Sequence, residues 1–162
     1  MRKVIPCIAV GLALAGDSAH AATTTSTFTV DVTIVAQCLI NSASNLSFGN
    51  SQGVLIANVD QSSTIVVQCT NTTTYDIGLD AGTGSGASVT TRKLTSGGAT
   101  INYSLYTNAL RSTVWGNTVS TDTVSATGNG AAQSYTVYGR IPAQTTPAPN
   151  AYSDTITITV TY

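Results

Sequence analysis

The sequence predicts an all-β fold, an antiparallel sandwich or barrel built from many short strands. Three observations carry that expectation. Nearly every periodic segment repeats every two residues, the spacing at which side chains return to one face of a strand. Threonine, β-branched and suited to a strand's exposed face, is abundant, while glutamate is absent and Lys, Met and Gln are scarce. Glycine and proline clusters separate the periodic runs, as turns separate strands. Low charge with much Thr, Ser and Asn also suits disorder, but the regular apolar alternation opposes it.

The chain opens with Met1-Arg2-Lys3, a positive start, followed by an apolar run over 4–16 that is too short to span a bilayer as a helix. Ala19-His20-Ala21 fits the small-x-small cleavage rule, so cleavage is expected between Ala21 and Ala22. The expected organisation is a secretory signal over 1–21, a leading strand segment over 22–36 and one β domain over 37–162. Residues 27–35 read as a strand with one apolar face made by Phe28, Val30, Val32 and Ile34. Further strands are expected over 63–69, 75–80, 101–106, 134–141 and 154–162. The Gly-rich stretches 81–86 and 96–98 and the group Gly128-Asn129-Gly130 read as turns, and Pro142 with Pro147-Ala148-Pro149-Asn150 as a stiff loop. Asp80-Ala81-Gly82-Thr83-Gly84 looks like a phosphate loop but lacks the Lys-Ser/Thr pair and a following helix, so it is read as a hairpin turn. Trp115 is assigned to the core or a groove wall.

Removal of the signal removes His20, the one histidine, and leaves Cys38 and Cys69 as the only cysteines. An even pair in an oxidising compartment is expected to form a disulfide. Six aspartates then stand against Arg92, Lys93, Arg111 and Arg140. No basic patch provides an electrostatic footprint for nucleic acid. Without an imidazole there is no Ser–His–Asp or Cys–His chemistry. Asp76 and Asp80 share a strand face at roughly 13 Å by strand rise, too far apart for either glycosidase geometry. A zinc site needs about four ligands, and only scattered aspartates remain. The expectation is therefore a non-enzymatic protein with no cofactor, no metal and no small-molecule substrate.

Two alternating strands, at 27–35 and 154–162, give the fold edges that can capture another chain. Periodicity allows two arrangements. Both strands lie in one self-complete sandwich, or the N-terminal strand leaves its own domain and adds to a neighbour's sheet. Burying Phe28, Val30, Val32 and Ile34 in a neighbour would contribute at most about 6–12 kcal/mol. Such a joint is head-to-tail and builds an open polymer.

Several segments, in order, carry a resemblance. They are Cys38-Leu39-Ile40-Asn41 with Leu46-Ser47-Phe48-Gly49; Val67-Gln68-Cys69-Thr70; Ile101-Asn102-Tyr103-Ser104-Leu105-Tyr106 followed by Trp115; Tyr135-Thr136-Val137-Tyr138-Gly139-Arg140-Ile141-Pro142; and Tyr152-Ser153-Asp154-Thr155-Ile156-Thr157-Ile158-Thr159-Val160. Together the chain resembles the spore coat protein U domain family, which includes subunits of archaic chaperone–usher pili. Asn150-Ala151 departs from the family pattern, which has a glycine there, although Asn tolerates a left-handed turn.

The resemblance implies an immunoglobulin-like antiparallel β-sandwich that lacks one strand. A periplasmic chaperone lends the missing strand, and an outer-membrane usher exchanges it for the N-terminal segment of the next pilin subunit. Phe28, Val30, Val32 and Ile34 would be the donor residues. Ile156, Ile158 and Val160 would border the acceptor groove, and Cys38 and Cys69 would be the family's disulfide. The implied function is a structural subunit of a bacterial surface pilus, exported through the periplasm and used in adhesion and biofilm. The alternatives are a self-complete secreted coat or matrix protein of the same fold, and a surface-binding tip module. The single domain and its polar loops argue against the tip role.

Overall fold

The computed structural model describes residues 20–162, so most of the expected signal, 1–21, lies outside the described residues. The chain divides at Thr33 and Ile34 into a leading segment and a β domain. In the leading segment residues 20–33 are exposed and join no ladder, with Phe28, Val30 and Val32 at 88%, 82% and 84% exposure. The strand expected over 27–35 is therefore not formed. Alternation gives the segment an apolar face, but a strand also needs a partner edge for its backbone groups.

The β domain contains no helix among the described residues. Its strands are β1 (Cys38–Ala43), β2 (Val59–Cys69), β3 (Thr74–Leu79), β4 (Arg92–Ser96), β5 (Ala99–Tyr106), β6 (Val124–Thr127), β7 (Ala132–Ile141) and β8 (Ile158–Thr161). They form two antiparallel sheets, one ordered β1-β2-β7-β5-β4 and the other β6-β3-β8. The architecture is an immunoglobulin-like β-sandwich. Its longest ladder runs from Val59 opposite Ile141 to Gln68 opposite Ala132. Period-two alternation turns Ile65, Val67 and Cys69 of β2 and Val137 and Ile141 of β7 inward, against Tyr75, Ile77 and Leu79 of β3.

Trp115 joins the two sheets. It is 1% exposed, its indole Nε1–H donates to Ile77 O at 2.8 Å, and its backbone N–H donates to Leu105 O at 2.9 Å. Arg92 makes a second tie. It is fully buried, and its guanidinium donates to the carbonyls of Asp80, Val89, Leu79 and Trp115 at 2.7–2.9 Å. Burial lowers its pKa, opposed by Tyr103 and Asp80 among its neighbours.

Several elements differ from expectation. The turn at 80–84 is not a hairpin, because β3 and β4 lie in different sheets. The chain crosses there under the control of Asp80, whose Oδ1 accepts Gly82 N–H at 3.0 Å, with Gly82 at φ +79°. Strands β1, β4 and β6 were not foreseen. β1 carries a bulge between Ile40 and Ser42 that breaks its alternation, β4 begins on the buried Arg92, and β6 has only four residues. The last strand begins at Ile158 rather than 154, since carboxylates capture the backbone before it. Asp154 Oδ1 accepts Thr155 N–H at 2.8 Å and Asp80 Oδ1 accepts Thr157 N–H at 3.0 Å. Asn150 has no left-handed backbone; its Oδ1 instead accepts Ala151 N–H at 2.9 Å.

Candidate functional site

The β domain contains a large apolar groove of about 1170 Å³ between two rims that are mostly outside strands, residues 43–50 with 52–55 on one side and 146–156 with Ile158 on the other. Its floor comes from both sheets, through Ile65, Val137, Ile141, Tyr103, Leu105 and Leu79. The volume exceeds the usual range of small-molecule pockets, about 300–1,000 Å³. The first rim leans inward at Gly139. A Cβ there would come within 2.8 Å of Leu46 and 2.9 Å of Phe48, so glycine is what lets the rim approach the floor. Phe48 then meets Tyr103 edge-on at a centroid distance of 6.1 Å.

The second rim ends in β8, which among the described residues pairs with β3 on one edge only. Thr157 O accepts Asp80 N–H, and Thr157 N–H donates to the Asp80 carboxylate, so both Thr157 backbone groups face β3. By period two the backbone groups of Ile156, Ile158 and Val160 face the opposite, unpaired edge. Their side chains are half-buried. Ile156 and Ile158 line the groove, and Val160 lies outside its lining.

Asp154 is the only charged residue in the lining. Its Oδ2 accepts the Tyr103 hydroxyl at 2.7 Å, and its Oδ1 accepts the backbone N–H and hydroxyl of Thr83 at 2.8 and 2.9 Å. Burial, and then the bond to Asp154, push the Tyr103 phenol above its ordinary value of 10.0. For Asp80, burial raises the carboxyl pKa, but hydrogen bonds from Thr157 and Gly82 prevail and hold it below 3.8. No buried side-chain polar atom among the described residues lacks a partner. Such a surface offers apolar side chains and a free strand edge, with its buried polar side chains already committed. Among the described residues no three His, Cys, Asp or Glu gather as a metal site.

Cys38 and Cys69 form a disulfide, S–S 2.01 Å, at the start of the ladder between β1 and β2. Ala21 and Ala22 are exposed, as is Ile34 at 76%. Sequence reasoning did not single out Arg92, Asp154 or the inward-leaning Leu46 and Phe48 for these positions. An arginine amid Thr-rich sequence in a charge-poor chain was the one visible signal for Arg92.

A family model, the Spore Coat Protein U domain, matches residues 24–159. The chain belongs to that family. Protein U of Myxococcus xanthus is 31% identical over 158 residues, 89% of this chain and 88% of that protein. Among solved structures, a chain of the chaperone–tip adhesion subunit pre-assembly complex from archaic chaperone–usher Csu pili of Acinetobacter baumannii superposes with a TM-score of 0.58 at 23% identity. The match covers 80% of this chain and 40% of that one, so this family member spans about two-fifths of its structural neighbour. The likeness is one of fold. No helix among the described residues is long and apolar enough to cross a membrane.

Proposed function

We propose that this chain is a non-enzymatic structural subunit of a bacterial surface pilus of the archaic chaperone–usher type. It polymerises by donating residues 22–36 to the groove of a neighbouring subunit. The observation that carries this reading is the pairing of an apolar groove, bordered by the unpaired edge of β8, with an exposed alternating segment in the same chain. The inserted strand would meet the edge of Ile156, Ile158 and Val160 with backbone hydrogen bonds and bury Phe28, Val30, Val32 and Ile34. Family membership and the pilus-type fold support the same reading.

The partners of this reading are neighbouring pilin subunits, a periplasmic chaperone that covers the groove before assembly, and an outer-membrane usher. The subunit reaches the cell surface through the periplasm after cleavage between Ala21 and Ala22. Its fibre serves adhesion and biofilm formation. Cysteines placed at Val32 and Ile156 test the reading: crosslinks between subunits are the expected result. A stable monomer, made without a partner and linking Val32 to Ile156 within one chain, would establish the self-complete coat protein instead.

A further inference from the structure

We infer that successive copies of this chain share a second, apolar contact, in which the exposed corner at Val54 and Ile56 of one copy packs against the surface around Leu39, beside the disulfide of the next. The inference rests on the strand-donation reading and deepens it. In the unassembled chain Ile34 forms one wall of a hollow there, and once Ile34 enters a neighbour's groove the surface left is that of Gln37, Leu39, Gln68, Thr70 and Asn71. Leu39 is 54% exposed there, and Val35 close by is 65% exposed. At the other end of the sandwich, Val54 and Ile56 are 75% and 84% exposed on either side of the buried Leu55. Ile56 N–H donates to Val54 O at 2.9 Å, a tight turn that presents both side chains outward.

Chain length selects a second copy as the occupant. Between Ile34, the last donor residue, and Cys38, which is bonded to Cys69, lie only Val35, Ala36 and Gln37. Four Cα steps reach at most about 14 Å. A subunit whose Ile34 sits in a neighbour's groove therefore holds its own disulfide end against that neighbour. The groove lining fixes which end it meets. The lining stops at Ala43 and Ile158, where β1 and β8 draw together, and runs at the other end through Val54, Leu55 and Thr146. A donor strand antiparallel to β8 runs from the Val160 end toward the Ile156 end, which leaves Ile34 beside Val54 and Ile56. Charge agrees with this. Residues 32–59, 61–75 and 123–139 contain no Asp, Glu, Lys or Arg, so the disulfide end has the charge depletion of an interface core, and at the other end Asp60 is already paired with Arg140 and Arg111.

Leu39 pairs with Gln68, while Ile56 precedes Val59, so the two lie at opposite ends of β2, roughly 30 Å apart by strand rise. A Leu39→Cys, Ile56→Cys chain cannot close on itself and can link only between copies. Expressed with chaperone and usher and then oxidised, it should run as a ladder of multimers on a denaturing gel. Val32→Cys, Ile156→Cys serves as the control. A ladder from the control with none from Leu39→Cys, Ile56→Cys overturns this contact and leaves strand donation standing. No ladder from either pair overturns strand donation, and this contact with it. Ile56→Asp alone should leave polymers that bend more, and Ile56→Asp with Leu39→Arg should restore their straightness in electron micrographs. Unchanged bending in Ile56→Asp fibres would also overturn the contact.

Discussion

The hydroxyl of Tyr103 donates a 2.7 Å hydrogen bond to Asp154 Oδ2, joining the floor of the groove to the segment that becomes its rim. The same carboxylate holds Thr83 and the backbone N–H of Thr155. One side chain thus sets the turn between the sheets and the start of the free edge. Tyr103→Phe removes one bond to a charged acceptor and should cost about 1.5–3 kcal/mol. Asp154→Ala should cost more, because it also strands the Thr83 donors and the Tyr103 hydroxyl. Urea unfolding of subunits carrying a bound peptide of residues 23–36 measures both. Equal midpoints for wild type and Asp154→Ala would show that the rim does not depend on this carboxylate.

Arg92 has no accessible surface, and every hydrogen bond it makes goes to a backbone carbonyl. Its planar fork reaches the end of β3, the loop at Val89 and the carbonyl of Trp115 at once. Arg92→Met leaves those carbonyls without their donors and should cost about 3–5 kcal/mol. Arg92→Lys keeps the charge but not the fork, and should fall between wild type and Arg92→Met. Periplasmic yield with the chaperone present, together with urea midpoints, checks the order. A wild-type midpoint for Arg92→Met would mean that other donors replace the guanidinium.

These two residues mark the limit of what the sequence discloses. β2, β5 and β7 were legible because their inward faces repeat every second residue, as in Ile65, Val67 and Cys69. The disulfide was legible because only two cysteines follow the expected signal. The first rim was not read as a groove wall. Its Leu46 and Phe48 follow no strand period, and what brings them inward is the absence of a side chain at Gly139, more than ninety residues away. Side-chain capture of backbone is equally invisible to periodicity, which is why the last strand was read as starting four residues too early: Asp154 takes the N–H of Thr155 and Asp80 that of Thr157.

Stability should fall on both sides of neutrality. Three carboxyls sit below their ordinary 3.8 in the folded protein: Asp60 through its hydrogen bond with Arg140, Asp76 through Ser125 and Thr123, and Asp80 through Thr157 and Gly82 against the opposing effect of burial. Groups depressed by folding stabilise above their unfolded pKa, and that contribution is lost as pH drops through the folded values. The acid limb therefore begins near 3.8. Tyr75 and Tyr103 are raised above 10.0, in both cases mainly by burial. Above pH 10.0 their unfolded forms lose protons that the folded forms keep, so stability declines as pH climbs. Unfolding free energies measured from acid to alkaline should give a plateau with these two shoulders. Tyr103→Phe should soften the alkaline one, and an unaltered shoulder would count against the buried phenol.

The disulfide stands where the leading segment would transmit load. β1 pairs only with β2, its residues after Cys38 are exposed, and β8 approaches it without forming a ladder. Cys38 is bonded to Cys69, at the end of a strand whose other ladder, with β7, runs from Val59 to Gln68. Closing the loop across a separation of 31 residues should stabilise the fold by about 3–4 kcal/mol on the chain-entropy model. Tension on residue 34 of an assembled subunit passes through the sulfur bridge directly into β2. In the Cys38→Ala, Cys69→Ala variant the same tension must pass through the β1 ladder, which can open one hydrogen-bonded pair at a time from its end. The variant should therefore lose the equilibrium stabilisation in urea and, pulled as a fibre in single-molecule experiments, extend at lower force than wild type. Equal forces would place the mechanical joint elsewhere than at β1.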